Sequence, residues 1–193
     1  MSTTYPIKDE EKLEKFKEYF LTKKPIYRNY ALIILGLNTA FRIGDLLHLK
    51  WKDVFNMKEG CFRRHIYVIE QKTGKERIVA VNAAVANALK ILQSDLEYAG
   101  EEQYLFPSTR KADNPICRSQ AFRIIKEAAE YAGIEERVSC HSLRKTFGYY
   151  AWKQGVQPAM LMDIYNHSSY GVTKRYLCIE QDERDKVYME ICL

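Results

Sequence analysis

The sequence has 193 residues, 47% hydrophobic and 28% charged, with 30 basic against 25 acidic side chains and a net charge of +5. A chain of that length and balance can bury one core, which excludes a tandem multidomain enzyme and a disordered or collagen-like chain, while so small a positive surplus cannot by itself establish a polyanionic partner. The longest apolar runs, such as 31–37, fall short of the ~18 residues that cross a bilayer, no signal-peptide core opens the chain, and five scattered cysteines without C-x-x-C spacing fit reduced thiols in a cytoplasm.

Residues 9–22 set Leu13, Phe16, Tyr19 and Phe20 at helical spacing among charges, and 26–37 form a more apolar second helix. A short helix follows over 41–49, and 51–54 lead out toward a change of period. From 62 to 81 two β-rich runs flank Lys72-Thr73-Gly74-Lys75, which predicts a hairpin. Asn82 is a plausible cap for a helix over 83–98 through Val85, Leu89, Leu92 and Leu96. An extended link at 104–107 precedes helices over 118–132, ended by Gly133, and 141–154, stopped by Gly155. The remainder is broken helix: 158–165, an interruption at 166–171, then 172–177 and 181–191. The expected fold is mainly α with a small antiparallel β-sheet (α+β), the sheet inserted between the early and middle helices. The expected organisation is a single domain over 1–193, with an N-terminal helical extension at 1–24 and a C-terminal tail at 178–193.

Three polar islands stand where helical packing does not ask for them. Arg42 follows an apolar helix with Asp45 three residues on, a spacing that also suits a plain helix-boundary ion pair. His141 and Arg144, at i and i+3 near a helix N-terminus, make a good phosphate seat, although a capping histidine and a surface arginine would look the same. His167 and Tyr176 are nine residues apart, which on an unbroken helix puts them on opposite faces; Gly171 permits a break that brings them together. Each island taken alone is weak. His48 and His65 read as packing or surface residues, and Tyr149, Tyr150, Tyr165, Tyr170 and Tyr188 as structural tyrosines.

Taken in order, Arg42, the hairpin Lys72, His141-x-x-Arg144, His167 and Tyr176 resemble the boxes of the tyrosine recombinase (phage integrase) family. The resemblance covers nearly all of 25–180. It implies the tyrosine recombinase catalytic-domain fold and a site-specific DNA recombinase, an integrase or invertase, that needs neither metal nor ATP. The matching positions imply Tyr176 as nucleophile, Arg42 and Arg144 as phosphate-binding guanidiniums, and Lys72 as general acid with Lys75 as its competitor. They further imply His141 as base or orienting group and His167 as a phosphate hydrogen-bonder, while Asp45 braces the Arg42 site.

The partner implied is double-stranded DNA, bound by a homo-tetramer on paired sites; a monomer in free solution and accessory DNA-bending proteins are compatible with this. Only 1–24 precede the matching region, so the expectation is a short, catalytic-domain-only recombinase of bacterial or phage origin that lacks the family's N-terminal clamp. The final box departs from the usual Leu-Gly-His-Ser, because Tyr165 and Asn166 precede His167. Two other readings remain: a non-catalytic DNA-binding regulator of the same fold, and a type IB topoisomerase-like relaxing enzyme. For the tail, docking on a neighbour through Val187, Tyr188, Ile191 and Leu193 and folding back on its own core are equal expectations.

Overall fold

The computed structural model describes residues 4–96, 100–111 and 113–192. Asp9 caps α1 (Glu10–Glu18) by accepting from the Lys12 amide at 2.9 Å. The helix then widens into a π-helical turn at Tyr19–Lys23 in place of the continuous helix predicted over 9–22. The widened turn suits two demands at once: Phe20 is fully buried, while Tyr19 reaches α6 (Arg118–Tyr131), hydrogen-bonding Glu127 at 2.8 Å and packing on Tyr131.

The central helix is α2 (Tyr27–Thr39), with a buried run from Asn29 to Leu37. A helix apolar all round must be enclosed. Here α5 (Ala83–Ser94) and α7 (Cys140–Lys153) cover it. Asn82 caps α5 through the Val85 amide, as predicted, but the helix ends at Ser94; residues 97 and 98 of its predicted span lie outside the described residues. Between α2 and α5 come two short helices, α3 (Ile43–Leu47) and α4 (Trp51–Val54).

The β region differs from the expectation of one sheet. A two-residue ladder, β1 (Phe55–Asn56) with β2 (Cys61–Phe62), stands apart from the hairpin of β3 (His65–Ile69) and β4 (Glu76–Ala80). Phe62 therefore pairs with Phe55, a contact too short and too local to leave a period-2 signature. In the hairpin Ile66 is fully buried and pairs with Val79, while Tyr67 and Ile78 face outward opposite each other.

The C-terminal third packs as α7, α8 (Pro158–Tyr165) and α9 (Tyr170–Leu177) around a second small core of Ala40, Leu161, Tyr165, Leu177 and Ile179. The first described residues strap this unit: Lys145 Nζ donates to the Thr4 carbonyl at 2.6 Å, Ile7 N to Thr146 Oγ1 at 2.9 Å, and Lys8 Nζ to the Cys178 carbonyl at 3.0 Å. The last helix, α10 (Glu180–Glu190), buries none of its residues. Among the described residues no helix is long and apolar enough to cross a membrane, and all five cysteines are free.

Gly148 is where α7 meets the second core, and a Cβ there would run into the Tyr165 hydroxyl and the Leu177 side chain. Gly148→Ala should therefore overpack the α7–α8–α9 junction and cost about 1–3 kcal/mol, lowering the melting temperature by roughly 2–10 °C. Calorimetry checks this, and a variant melting within about 1 °C of the parent would refute it.

Candidate active site

Helix α2 stops at Ala40, which takes the left-handed conformation at φ 51° and is fully buried. A non-glycine residue there costs about 1–2 kcal/mol. Two contacts hold it: the Ala40 side chain lies in the second core, and its carbonyl accepts a hydrogen bond from Arg144 Nη1. The reversal puts Arg42 in extended backbone at the head of α3. Its guanidinium does not pair with Asp45, as local spacing suggested. Nη1 lies 2.5 Å from Glu70 Oε2, while Asp45 Oδ1 accepts from the Gln71 amide at 2.9 Å. Both carboxylates thus tie the β3–β4 turn to the Arg42 segment.

On α7, Ser139 caps the helix with a reciprocal Ser139–Ser142 box that fixes its first turn. His141 stays accessible there, and Arg144, one turn on, is only 4% exposed. Arg144 stacks on the Tyr165 ring at 4.6 Å and, among the described residues, forms no ion pair with a carboxylate. Burial first, then nearby positive charge, pulls its pKa below the usual guanidinium value, while Tyr176 and Tyr165 oppose that.

Helix α8 ends at Asn166, left-handed at φ 53°. The break that joins His167 to Tyr176 therefore falls at Asn166 rather than Gly171, which is the second residue of α9. Asparagine tolerates this conformation, so it can replace the glycine of the family pattern without loss of the turn. The His167 and Tyr176 rings meet edge to face at 5.2 Å, and His167 Nδ1 is 3.1 Å from Thr173 Oγ1. Tyr165, the other departure, is fully buried and donates its hydroxyl to the Arg144 carbonyl at 2.7 Å, so that phenol is already engaged. Tyr176 is half-buried. Burial pushes its phenol pKa up, and the nearby positive charges of Arg144 and Arg42 oppose the rise. Tyr150 is tied to the Lys8 carbonyl and Tyr170 to Glu183, whereas Tyr188 is 79% exposed.

A cleft of about 570 Å³ is lined by Arg42, Asp45, Lys72, Arg118 and His141. Lys72 is exposed at its rim, whereas Lys75 Nζ is tied to Asn166 Oδ1 at 2.7 Å and lines a different cleft. Two cations escaped the sequence reading. Arg118, at the start of α6, joins the cleft wall, and Lys145 lies over the Tyr176 ring at 5.1 Å. Neither has a spacing signal: Arg118 looks like any first-turn helical residue, and Lys145 is simply the neighbour of Arg144. The six predicted residues thus share one electrostatic neighbourhood. Lys72 and Arg144 act on His141, while Arg42 and Arg144 act on His167 and Tyr176. Among the described residues no group of three or more His, Cys, Asp or Glu could hold a metal ion.

The buried guanidinium, the tyrosine against it and the hairpin lysine at the rim define a tyrosine recombinase catalytic-domain fold. The model of the phage integrase family matches residues 8–183, and the chain belongs to that family. The probable integrase/recombinase YoeC of Bacillus subtilis strain 168 is 38% identical over 188 residues, 97% of each chain. Other curated relatives are longer: the chain covers 55% of tyrosine recombinase XerC of Thermodesulfovibrio yellowstonii, at 27% identity. Of solved structures, XerA recombinase superposes with a TM-score of 0.75 at 26% identity, covering 98% of this chain and 65% of that one.

Both site histidines have pKa values below the ordinary imidazole value. For His141 the causes are burial, then Lys145, Arg144, Arg118 and Lys72; for His167 they are burial, then Arg144 and Arg42. A depressed folded value means that the unfolded chain takes up the proton first, so stability falls as pH drops through about 6.5 toward the folded values. In an NMR titration of the four imidazoles, His141 and His167 should titrate below about 6.5; a value above that for either contradicts the electrostatics of the site.

Proposed function

We propose that this chain, a tyrosine-type recombinase, cleaves and rejoins double-stranded DNA through a 3'-phosphotyrosyl bond on Tyr176. The observation that carries this reading is the buried Arg144, a cation without a carboxylate partner among the described residues, with the Tyr176 phenol against it. A desolvated guanidinium left unpaired is an anion site, and its planar fork suits a phosphate.

In the cleavage step Tyr176 Oη attacks phosphorus, the bond to the 5' oxygen breaks, and the charge on the non-bridging oxygens is met by Arg42 and Arg144. The phenolic proton passes to His141, and Lys72 protonates the departing 5' oxygen. Lys72 is favoured over Lys75 because its amine lies free at the cleft while that of Lys75 is held by Asn166. His167 Nδ1 is engaged by Thr173 Oγ1, which leaves Nε2 as the ring nitrogen to meet a non-bridging oxygen. A second 5' hydroxyl reverses the sequence and reseals the strand, so bond energy is retained and ATP is not used.

The non-catalytic regulator reading has no use for this arrangement, since a binder needs no nucleophile pressed against an unpaired cation. Relaxation by a monomer differs in assembly, and there α10 argues for the tetramer. Val187, Tyr188, Met189 and Ile191 are 54–85% exposed, and the helix start is tethered by Lys8–Asp182 at 2.6 Å and Lys174–Glu183 at 3.1 Å. We assign the exposed residues 187–191 to a neighbouring subunit on paired sites, while 178–183 stay tied to their own protomer through Lys8, Lys174 and the buried Ile179; Leu193 of the predicted docking set lies outside the described residues. A bacterial or phage-infected cytoplasm, with its DNA and reduced thiols, is the setting that fits.

The test uses nicked duplexes with a randomised core, from which the protein captures its own targets as SDS-stable adducts. Tyr176→Phe should abolish the adduct while DNA retention survives, and a persisting adduct refutes the nucleophile. Arg144→Ala should slow adduct formation by about a hundredfold, and Lys72→Ala by a similar factor, with Lys75→Ala far milder. Equal defects at the two lysines would overturn the choice between them. Tyr188→Asp with Ile191→Asp should leave the melting temperature unchanged and remove the tetramer from light scattering on captured sites; a surviving tetramer would remove α10 from the interface.

A further inference from the structure

We propose that Glu70 is a positioning residue that fastens the Lys72 turn to the Arg42 guanidinium, so that the proton donor and the phosphate-binding arginine are set in register by one carboxylate. The inference rests on the strand-transfer reading above and adds a residue that reading does not use.

Glu70 follows β3 directly and is 4% exposed, a depth at which a carboxylate persists only when paired. Its partners divide in two directions. Oε2 meets Arg42 Nη1 at 2.5 Å and accepts from Thr73 Oγ1 at 2.7 Å, and Oε1 lies 3.3 Å from Arg77 Nη1. Arg77 is itself anchored to the Ile164 carbonyl at 2.8 Å, which fixes the carboxylate to the body of the protein.

The backbone of Glu70 closes the same turn. Its amide donates to the Lys75 carbonyl at 2.9 Å, and its carbonyl accepts from Gly74 N at 2.8 Å. Residues 71–74 therefore hang from Glu70, with Lys72 exposed in the middle of the loop. A side chain on so small a loop has its reach set by the anchor. Burial opposes ionisation of Glu70, but Thr73, Arg42 and Arg77 outweigh it and hold the pKa below the ordinary carboxylate value. With Nη1 facing Glu70, the remaining N–H groups of the Arg42 fork are left for an anion.

The experiment compares captured duplexes carrying oxygen or sulfur at the scissile 5' bridge. A thiol, with a pKa near 8.5, leaves without a proton, so sulfur relieves any defect that acts through the general acid. Glu70→Gln keeps the shape and removes the charge, and should slow adduct formation about a hundredfold on oxygen, with at least about tenfold relief on sulfur relative to the parent. Thr73→Val cuts only the link to the turn, serves if the first variant fails to fold, and should show a smaller defect that sulfur abolishes. Parental rates on oxygen, or relief below about tenfold where Lys72→Ala is relieved, overturn the inference. Absence of any Tyr176-dependent adduct with the parent, or a Lys72→Ala defect blind to sulfur, instead overturns the strand-transfer reading.

Discussion

A single buried cation organises the C-terminal half of the molecule. Arg144 is almost wholly removed from water, and in place of a carboxylate it has the Ala40 carbonyl, the face of Tyr165 and the Tyr176 phenol. Dipoles and a ring quadrupole compensate only part of the lost hydration, since desolvating an ion costs several kcal/mol. The remainder stays as affinity for an anion. Each substitute ligand also comes from a different element, so meeting the arginine's needs joins the end of α2, the start of α7, the end of α8 and the end of α9.

Arg42 is handled in the opposite way. It has a resident carboxylate in Glu70, and through Glu70 it is linked to Arg77 and to the hairpin turn. One arginine is left unsatisfied by protein anions and the other is oriented by one. Removing one partner of a buried pair typically costs about 3–5 kcal/mol because the other charge is left uncompensated, so Arg42, Glu70 and Arg77 are constrained to stay together at the seat of the hairpin. Between the two arginines the cleft stays basic: Lys72 and Arg118 line it, and with Lys145 and Arg144 they add to the burial that depresses His141, whereas His167 answers to burial, Arg144 and Arg42.

The N-terminal strap and α10 complete this frame from the two ends of the chain. Lys8 reaches the Cys178 carbonyl and Asp182, so the segment just beyond Tyr176 is tied back to the N-terminal strap while the end of α10 stands exposed. Helix α9 is thus held from both sides, by strap and by the second core, while the apolar end of the tail remains exposed. Tyr150 adds a further tie from α7 to the same strap through the Lys8 carbonyl.

By itself the sequence determined the helical framework, because apolar periodicity, the Asn82 cap, the Gly133 and Gly155 stops and Pro158 act within a few residues and survive without context. It also singled out six candidate side chains, since their order and spacing are properties of the chain. What only the tertiary structure decided was how they meet. The partner of Arg42 is Glu70, 28 positions away, rather than the adjacent Asp45; the turn before Tyr176 falls at Asn166; and the two extra cations, Arg118 and Lys145, join the site from α6 and α7. Those outcomes depend on burial, which sets the price of an unpaired charge, and burial is fixed by packing between elements that no local window contains.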